Sequence, residues 1–361
     1  MIIAIDLTSI SFHITGIERY ALCVSEKLIQ NDSINQYILI FRDEIYKNFK
    51  VLIDNIRIRA ITLHGNSKLL FYQIILPIAL YRIKADKYVF LAFSSPILFY
   101  KKGIFNTIHD MGAWDASFTM KKRQQLYFRI TYSISAKFSE KVFTVSEFSK
   151  YRICKILKMK QEKVKVVYSA PSDNLLHSRR IQYDDVKRKY KLPPKYIMSL
   201  STLEPRKNLS LLLESYVEIM DNVDYDLVLV GRIGWKMDEM IQLYGAQKRI
   251  HLTGYIDDDD VVEIYKNTLC FIFPTLYEGF GLPPIEALAL GAPVISSDAA
   301  SMPEILMNQA IFFKNNDKSE LKKLLINFEI NIKTMPRGLN EFQKDNFTFD
   351  VAANKILNFL S

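Results

Sequence analysis

Two acidic residues, Glu278 and Glu286, flank a glycine-rich turn in the sequence EGFGLPPIE. The apolar run before the turn, LCFIFPT, has the composition of a strand that is buried on both faces. Gly279 and Gly281 allow backbone amides to approach a ligand without a clash of Cβ atoms. The two prolines that follow suit the first turn of a helix, whose amides favour an anion such as phosphate. This stretch therefore predicts an anion site with a carboxylate on either side.

The carboxylates indicate what else this site could bind. Because a carboxylate repels phosphate, the natural partners of Glu278 and Glu286 are hydroxyl donors, such as those of a sugar or a ribose. Phosphate and polyol together describe a nucleotide sugar. The alternative is purely structural: Glu278 would be a turn residue, and Glu286 a first-turn residue that the helix dipole stabilises. The local pattern alone leaves both interpretations open.

The longer stretch FPTLYEGFGLPPIEALALGAPVISSDAASMPE resembles the E-x7-E signature of retaining family 4 glycosyltransferases of GT-B fold. This resemblance implies that Glu278 holds hydroxyls of the transferred sugar and that Glu286 binds the nucleotide ribose. The turn between them would face sugar and phosphate with its backbone, through Gly279, Phe280, Gly281 and Leu282.

Two cations, Arg206 and Lys207, lie in the segment TLEPRKNL, directly before a predicted helix. Cations beside a helix N-terminus are unfavourable unless an anion also lies there. A diphosphate would satisfy both, since Arg binds phosphate oxygens as a fork and Lys as a point charge. The alternative is that Arg206 and Lys207 are surface residues that water solvates and that bind no ligand. The segment also resembles the diphosphate-binding loop of the same family, in which many relatives place the arginine several positions earlier, so Arg206 would be a substitute.

The same resemblance indicates two further candidate site residues, His109 and Gly16. His109 follows the predicted strand IFNTI, and TIHDMG resembles a segment in which the family's histidine contacts the transferred sugar. We therefore expect His109 to contact the donor sugar or the acceptor, and Asp110 to orient it or to cap the next turn. The opening IDLTSISFHITGIERY resembles a loop near the start of many members of this family. The resemblance implies that Gly16 lies near the donor phosphate. The alternative is that Gly16 is a glycine that only the turn requires. His13 in this loop is a weaker candidate.

The remaining candidates concern the nucleotide base and metal ions. Residues 255–257, beginning with Tyr255, follow a predicted strand and are expected to contact the base through backbone groups. Two segments, Asp224–Asp226 and Asp257–Asp260, match the D-x-D pair with which transferases of another fold hold a divalent ion. Here one segment leads into a strand and the other begins a helix. We therefore expect no metal and no other cofactor, with Arg206 and Lys207 supplying the positive charge.

The order of predicted elements indicates how these residues are positioned. Strands alternate with helices along the chain, which predicts α/β structure with parallel, doubly wound sheets. The resemblance implies the GT-B arrangement of two Rossmann-like domains that face a central cleft. The expected domains are an acceptor domain at residues 1–180 and a nucleotide-sugar domain at residues 193–345, joined by a charged linker at 172–195. A C-terminal helix at residues 346–361 would cross back to the first domain.

The net charge is +9, from 48 basic and 39 acidic residues. Nucleic acid, an anionic membrane surface or a phosphorylated substrate could each explain this excess, and no nucleic-acid-binding motif is present to favour the first. Residues 121–141 carry six basic side chains and one acid, with apolar residues at every fourth position: Leu126, Ile130, Ile134 and Phe138. Such a helix can lie on an anionic bilayer. The alternative is a helix that packs on its own sheet and leaves its basic side in solvent.

Several features bear on location. The three cysteines, Cys23, Cys154 and Cys270, are far apart and lie in apolar runs, which predicts buried free thiols in a reducing compartment. No signal peptide is visible. The longest apolar stretch, Leu69–Ile83, is interrupted and too short to span a bilayer. We therefore expect a cytoplasmic protein, peripheral on the inner face of the membrane if the basic helix touches it.

The resemblance implies a retaining hexosyltransferase, which we expect to be metal-independent, with His109, Glu278, Arg206 and Lys207 as the catalytic group. Its partners would be a nucleotide sugar and a saccharide or lipid-linked oligosaccharide, and no nucleic acid. TLEPRKN and GIERY most resemble bacterial mannosyltransferases of surface polysaccharide assembly, which favours GDP-mannose. UDP-glucose, UDP-N-acetylglucosamine and deoxyhexose donors remain open. The rival classes are a sugar-nucleotide epimerase, a phosphorylase-like enzyme and a saccharide-binding protein without catalysis.

Overall fold

The chain forms two compact units. The first comprises Met1–Ala170 together with Asp345–Ser361, and the second Pro171–Lys344. The computed structural model describes residues 1–10, 16–46, 49, 56–176, 181–234, 242–244, 247–328 and 332–361.

The first unit is built on a seven-stranded parallel sheet. Its strands are β1 Ile2–Asp6, β2 Gln36–Arg42, β3 Ile58–Leu63, β4 Lys87–Phe90, β5 Ile104–Thr107, β6 Lys141–Thr144 and β7 Val164–Val166. They lie in the order β3-β2-β1-β4-β5-β6-β7, and each adjacent pair is parallel. Strand β5 is buried along its whole length, as expected for a parallel sheet that is covered on both faces.

Helices connect these strands. They are α1 Gly16–Asn31, α2 Lys68–Leu70, α3 Leu76–Arg82, α4 Gly112–Asp115, α5 Lys122–Phe138 and α6 Glu147–Leu157. A π-helical turn, Phe71–Ile75, joins α2 to α3, and Pro77 lies in the first turn of α3. Because the first turn needs no amide from Pro77, the chain stays helical on both sides of the proline.

The second unit has a six-stranded parallel sheet. Its strands are β8 Tyr196–Leu200, β9 Asp226–Val230, β10 Ile250–Gly254, β11 Phe271–Phe273, β12 Val294–Ser297 and β13 Ala310–Phe313. Their order is β10-β9-β8-β11-β12-β13, again with parallel pairs. The helices are α7 Asp173–Leu176, α8 Tyr183–Tyr190, α9 Leu209–Val217, α10 Asp258–Asn267, α11 Leu282–Ala289, α12 Met302–Leu306, α13 Lys318–Ile326 and α14 Glu341–Asn346.

Both sheets reverse their strand order at one point. In the first sheet this is the junction between β1 and β4, and in the second it is the junction between β8 and β11. Ligands of open α/β sheets bind beyond the carboxyl ends of the strands at such a switch point. The loops that leave β8 and β11 carry Arg206, Lys207 and Glu278. The fold therefore places the strongest sequence candidates where a ligand is expected.

The last helix, α15 Phe349–Leu360, belongs to the first unit. Thr348 caps it by accepting a hydrogen bond from the Val351 amide. The Lys27 ammonium of α1 lies 2.9 Å from the carboxylate of Asp350, and the Phe349 ring lies edge-on to that of Tyr20. The chain thus leaves the second unit and ends on the first.

Residues 172–195, which the sequence indicated as a linker, contain α7 and α8 and belong to the second unit. Two hydrogen bonds hold α8 to α10. The Lys189 ammonium lies 2.6 Å and the Tyr190 hydroxyl 2.8 Å from the same Asp260 oxygen. The charged residues of this segment therefore pair within the second unit.

Helix α5 faces the sheet with small polar residues, not with its apolar positions. Its buried residues are Thr131, Ser135 and Ala136, whereas Leu126 is 60% exposed and Phe138 43% exposed. Small side chains bring the helix end close to the sheet, where Asn106 of β5 donates to the Ser139 hydroxyl at 2.7 Å. Helix α5 therefore packs on its own sheet and leaves Lys121, Lys122, Arg123 and Lys137 exposed, but small residues make this contact in place of the apolar face.

Two other sequence expectations can be checked on the structure. All three cysteines are free thiols, although only Cys270 is fully buried and the other two are partly exposed. Within the described part of the chain, no helix is long and apolar enough to cross a membrane.

Candidate functional site

Glu278 is the centre of a charged cluster at the switch point of the second sheet. Its side chain is buried, with 10% of its area exposed, and the Lys207 ammonium lies 2.5 Å from Oε1. The Arg206 guanidinium lies 3.7 Å from Oε2. The Thr275 hydroxyl donates to Oε1 at 3.1 Å. The structure thus brings together three of the four predicted catalytic residues.

The charge state of Glu278 follows from these partners. Burial by itself would raise the pKa of this carboxyl, but Lys207 and Arg206 outweigh burial and hold the pKa below its usual range. Glu278 is therefore a carboxylate at neutral pH. Because a carboxylate only accepts hydrogen bonds, it is suited to bind hydroxyl groups of a ligand.

Hydrogen bonds join the loops that carry this cluster. The Leu276 amide donates to the Arg206 carbonyl at 2.8 Å, which ties the loop after β11 to the loop after β8. The Ser301 hydroxyl donates to the Glu278 carbonyl at 3.0 Å. The Ser297 hydroxyl donates to the Thr275 carbonyl at 2.6 Å. Three loops at one edge of the sheet thus fix the position of the carboxylate.

The structure gives its own reason for the two adjacent cations. Besides their contacts with Glu278, the Arg206 Nε donates to Glu204 at 3.2 Å, and Glu204 is buried. The Lys207 ammonium also lies 5.4 Å from the centre of the Phe273 ring. The sequence argument that two cations require a bound anion is therefore too strong, since two carboxylates of the protein already balance them. An ammonium has three donors, so Lys207 can still bind a phosphate oxygen while it holds Glu278.

The glycine turn leads directly into α11. Gly281 has φ +88°, a conformation that favours glycine, and a Cβ there would lie 2.5 Å from the Met302 methyl carbon. Gly279 and Phe280 are buried, while Leu282, the first residue of the helix, is partly exposed. Pro283 and Pro284 have no N–H, so Leu282 is the first-turn residue of α11 that can offer an amide to a phosphate.

Glu286 lies in the second turn of α11 and is buried, with 8% of its area exposed. The Tyr265 hydroxyl of α10 lies 3.4 Å from its Oε2 and 3.3 Å from the Pro283 carbonyl oxygen. The carboxylate is thus held from the neighbouring helix. Its predicted contact with a ribose stays a prediction.

Tyr255 lies farther along the same edge, directly after β10. Strand β10 is separated from β8 by β9, and neighbouring strands are about 4.8 Å apart. Its side chain is 49% exposed, and the Arg232 guanidinium lies 4.6 Å from its ring centre. An exposed ring beneath a cation offers a flat surface beside the charged cluster, and its contact with a base stays a prediction.

His109 belongs to the first unit and follows β5. Its Nε2 lies 2.9 Å from the Leu91 carbonyl oxygen, and the Tyr20 ring meets it edge-on at 5.1 Å. A carbonyl can only accept, so Nε2 carries the proton and Nδ1 carries the lone pair. Burial lowers the pKa of His109, against smaller opposing effects of Leu91 and Asp110. The neutral ring can therefore accept a hydrogen bond from a hydroxyl at Nδ1.

Three other residues of the first unit can be placed on the structure. Asp110 accepts a hydrogen bond from the Gly112 amide at 2.8 Å, so its carboxylate caps the next turn. Ser146 accepts from the Ser149 amide and caps α6. Gly16 is the exposed first residue of α1. The preceding residues 11–15, with His13, lie outside the described residues.

A cavity of about 880 Å³ lies in the first unit at its own switch point. Thr8, Ser9 and Ile10 line it after β1, and Phe93 and Ser94 line it beyond β4. Aromatic residues form much of the remaining wall: Phe71, Tyr72, Tyr127, Phe128 and Tyr132. In the described part of the chain, the Ser9 and Ser94 hydroxyls are buried without a partner.

The Asp6 carboxylate bonds two residues of the cavity wall, Thr8 and Tyr72, while the wall itself contains the acids Glu18, Asp43 and Glu44. Asp6 accepts from the Thr8 amide at 3.1 Å, from the Thr8 hydroxyl at 2.7 Å and from the Tyr72 hydroxyl at 3.1 Å. Burial raises the pKa of Asp6, although these hydrogen bonds oppose the effect. Asp6 thus lacks the cationic partners of Glu278 and is balanced by hydroxyl and amide donors.

The acidic D-x-D segments have structural roles. Asp226 accepts from Arg249 at 2.9 Å and lies 2.8 Å from the His251 Nε2. Asp224 pairs with Lys195, and Asp260 with Lys189. No three His, Cys, Asp or Glu side chains gather as a metal site would among the described residues.

Several residues of these sites were not found by sequence reasoning. Thr275 and Ser301 lie inside the recognised stretch but had no assigned role, and their position beside Glu278 depends on how the loops fold. Tyr265 comes from another helix. Asp6 ends a short buried strand, and a single acid at that position was the only signal that the sequence offered.

Comparison with known proteins bears on this geometry. Residues 182–339 match the family described as "Glycosyl transferases group 1". The chain is 30% identical over 217 residues to the O-antigen chain mannosyltransferase B of Escherichia coli, covering 58% of this chain and 57% of that protein. It is 26% identical over 243 residues to the O-antigen chain mannosyltransferase RfbU of Salmonella typhimurium, covering 66% and 64%. The matches thus span less than two thirds of either relative.

Among solved structures, HepE of Anabaena in complex with UDP and glucose superimposes with a TM-score of 0.73. The alignment covers 99% of this chain and 98% of HepE, at 15% sequence identity. At 15% sequence identity, this structural similarity is evidence for a shared fold alone. The predicted fold class, two Rossmann-like units of a GT-B protein, is confirmed.

Proposed function

We propose that this protein transfers a hexose from a nucleotide sugar to a hydroxyl group of a saccharide or lipid-linked oligosaccharide, because residues 182–339 match the family described as "Glycosyl transferases group 1". The observation that carries the proposal is the buried cluster of Glu278, Lys207 and Arg206 at the switch point of the matched domain. It combines an ionised acceptor for sugar hydroxyls with two cations for a diphosphate. A nucleotide sugar needs both.

The chemistry follows from the charges of this cluster. As the acceptor hydroxyl oxygen forms its bond to the anomeric carbon, the bond between sugar and diphosphate breaks, negative charge grows on the leaving diphosphate, and a diphosphate oxygen takes the hydroxyl proton. Arg206, Lys207 and the Leu282 amide at the start of α11 stabilise that charge, which lowers the barrier without a protein nucleophile. Glu278 holds sugar hydroxyls, and Glu286 holds the ribose. We propose that the anomeric configuration is retained and that no metal takes part, since the two cations provide the charge that a metal would supply.

We propose that the acceptor binds in the cavity of the first unit. Aromatic faces pack on the apolar faces of sugar rings, and the buried hydroxyls of Ser9 and Ser94 can pair with sugar hydroxyls. His109, also in the first unit, would contact the transferred sugar through Nδ1. The three free thiols suit a reducing cytoplasm, which is the compartment we propose.

The donor that we propose is GDP-mannose, because the relatives above are named mannosyltransferases. The test is a thermal-shift panel of GDP, UDP, ADP and dTDP in the presence of a chelator, since a ligand that binds only the native state raises the melting temperature. We expect a shift with GDP that Glu286→Gln reduces. The matched control is Glu218→Gln, an exposed glutamate of the same unit that pairs with Lys318 and should leave the shift unchanged.

Other outcomes of this panel have definite meanings. A shift with UDP alone would keep the transferase and replace the donor, as in HepE with bound UDP and glucose. Turnover of the donor without an acceptor to yield an epimer would indicate an epimerase. Turnover that requires inorganic phosphate would indicate a phosphorylase-like enzyme. Failure of every nucleotide to shift the melting temperature would contradict the proposal and favour a saccharide-binding protein.

A further inference from the structure

The first unit carries an exposed apolar surface formed by α3, α5 and the loop at residues 96–102 between β4 and β5. On α3, Ile78 is 48% exposed and Tyr81 46% exposed. On α5, Ile130 is 42% exposed and Phe138 43% exposed. On the loop, Leu98 is 56% exposed. We call this the apolar surface.

Direct contacts show that these segments are neighbours. The Tyr81 hydroxyl donates to the Leu98 carbonyl at 3.2 Å and accepts from the Tyr100 amide at 2.9 Å. The Tyr100 ring lies 4.6 Å from the Phe138 ring, centre to centre. These contacts run from α3 through the loop to α5. The exposed side chains therefore form one continuous surface.

Each helix exposes an apolar stripe where a globular protein would bury one. The exposed positions Leu70, Ile74 and Ile78 recur every four residues, and so do Leu126 and Ile130 on α5. On α5 the buried side is formed by small residues instead. An apolar stripe of this kind is unfavourable in water unless another surface covers it.

The positive charge around the apolar surface indicates which kind of partner covers this surface. Residues 67–84, 96–102 and 118–138 together contain ten Lys and Arg residues and no Asp or Glu. Lys121, Lys122 and Arg123 are exposed at the start of α5, and Lys137 is exposed at its end. A basic, aromatic and apolar face of a helix is suited to the boundary between headgroups and acyl chains of an anionic bilayer.

From these observations we infer that the apolar surface docks the protein on an anionic membrane. The inference does not depend on the donor or the acceptor. A second copy of the chain is a poorer partner, because a two-fold contact would bring together the exposed cations of both copies, among them Lys121, Lys122, Arg123 and Lys137. With no membrane-spanning helix in the described part of the chain, the contact would be peripheral.

The test measures sedimentation of the full chain with lipid vesicles, in the absence of nucleotide. Vesicles of phosphatidylcholine are compared with vesicles in which about a third of the lipid is phosphatidylglycerol. We expect binding to the anionic vesicles alone, weakening as salt is added. Replacing Lys121, Lys122 and Arg123 by Gln should lower the partition coefficient about a hundredfold. The control replaces Lys248, Lys323 and Lys344, exposed lysines of the second unit, and should bind as the wild type.

A second pair of variants tests the apolar part. Ile78→Ser with Ile130→Ser should lower the partition coefficient about tenfold or more. The control is Ile233→Ser with Ile326→Ser, isoleucines of the second unit that are 57% and 49% exposed. Melting temperatures measured without vesicles show whether each variant folds, and the exposed positions should leave them unchanged.

Three results would overturn the inference. One is equal binding of the wild type to neutral and anionic vesicles, or no binding at low salt. Another is unchanged binding of both surface variants. The third is a dimer of the wild type in solution that Ile78→Ser with Ile130→Ser dissociates, which would show that a second copy covers the surface. The vesicle measurement does not depend on nucleotide binding. Failure of the proposed transferase activity can therefore be distinguished from failure of the proposed membrane docking.

Discussion

The two units use the same position of the same topology for different chemistry. In the second unit, the switch point between β8 and β11 holds a carboxylate, Glu278, that is paired with two cations. In the first unit, the switch point between β1 and β4 has a cavity of about 880 Å³ with aromatic walls. Asp6, which bonds Thr8 and Tyr72 of that wall, is held by hydroxyl and amide donors. The fold fixes where a ligand binds, and the side chains decide which ligand.

The difference between the charged cluster and the aromatic cavity corresponds to the difference between a nucleotide sugar and a saccharide. A nucleotide sugar carries charge at its diphosphate and needs cations beside a carboxylate. A saccharide acceptor is neutral at its rings and needs aromatic faces and hydroxyl partners. We therefore propose that the donor binds to the second unit and the acceptor to the first. The variants below test these two proposals separately.

The largest effect should come from Lys207→Met. This change removes the ammonium that holds Glu278 and leaves a buried carboxylate with Arg206 at 3.7 Å. We expect turnover to fall about a thousandfold and the free energy of unfolding to fall by about 3 kcal/mol. Donor turnover and urea unfolding measure the two effects. Lys318→Met is the control, because Lys318 pairs with Glu214 and Glu218 elsewhere in the same unit and should leave turnover unchanged.

A change in the glycine turn should come next. Gly281 and Gly291 have similar left-handed backbones, with φ of +88° and +84°, but only Gly281 would place a Cβ against Met302. Both Ala variants should lose about 1–2 kcal/mol of stability from backbone strain. Only Gly281→Ala should also weaken nucleotide binding, by about tenfold or more, because it displaces the first turn of α11. Equal nucleotide affinity in the two variants would argue against a donor site at this turn.

Tyr72→Phe should affect only the acceptor. The change removes the hydroxyl that donates to Asp6 and to the Ser94 carbonyl at the cavity. We expect the KM for the acceptor to rise about tenfold at most, with the KM for the donor unchanged. Tyr88→Phe is the control, since the Tyr88 hydroxyl is buried in the same unit and bonds the Ile83 carbonyl away from the cavity. A rise in the donor KM instead would reverse the assignment of the units.

The smallest effect should be a difference in the pH dependence of stability. The pKa of Glu278 is lowered from 4.5 in the folded protein, so its stabilising contribution is complete above about 4.5 and is lost as the pH falls. The pKa of Asp6 is raised from 3.8, so its favourable contribution is present below about 3.8 and is lost as the pH rises.

Urea unfolding from about pH 3 to about pH 7 measures this difference. The stability advantage of the wild type over Glu278→Gln should shrink on acidification. The stability of the wild type relative to Asp6→Asn should decrease as the pH rises. Parallel slopes for the two variants would mean that the carboxylates are in similar environments, contrary to the structure.

The sequence was sufficient to predict the residues around Glu278, but not the cavity of the first unit or the packing of α5. Glu278 and the glycine turn lie in one continuous stretch, so local chemistry and a strand–turn–helix order were enough to find them. The cavity of the first unit takes its walls from residues near 8, 42, 70, 93 and 130, which only the folded chain brings together. Periodicity also identified the apolar residues of α5, but it could not indicate that small residues on the other side would face the sheet.

The central claim is that nucleotide binds at the switch point of the second unit. Hydrogen–deuterium exchange of the intact chain, with and without saturating GDP and then UDP, tests it most directly. We predict slower exchange in peptides that contain residues 205–209 and 275–288, and unchanged exchange in peptides that contain residues 8–10, 93–95 and 127–132. Protection confined to the cavity peptides, or no protection by either nucleotide, would contradict the account.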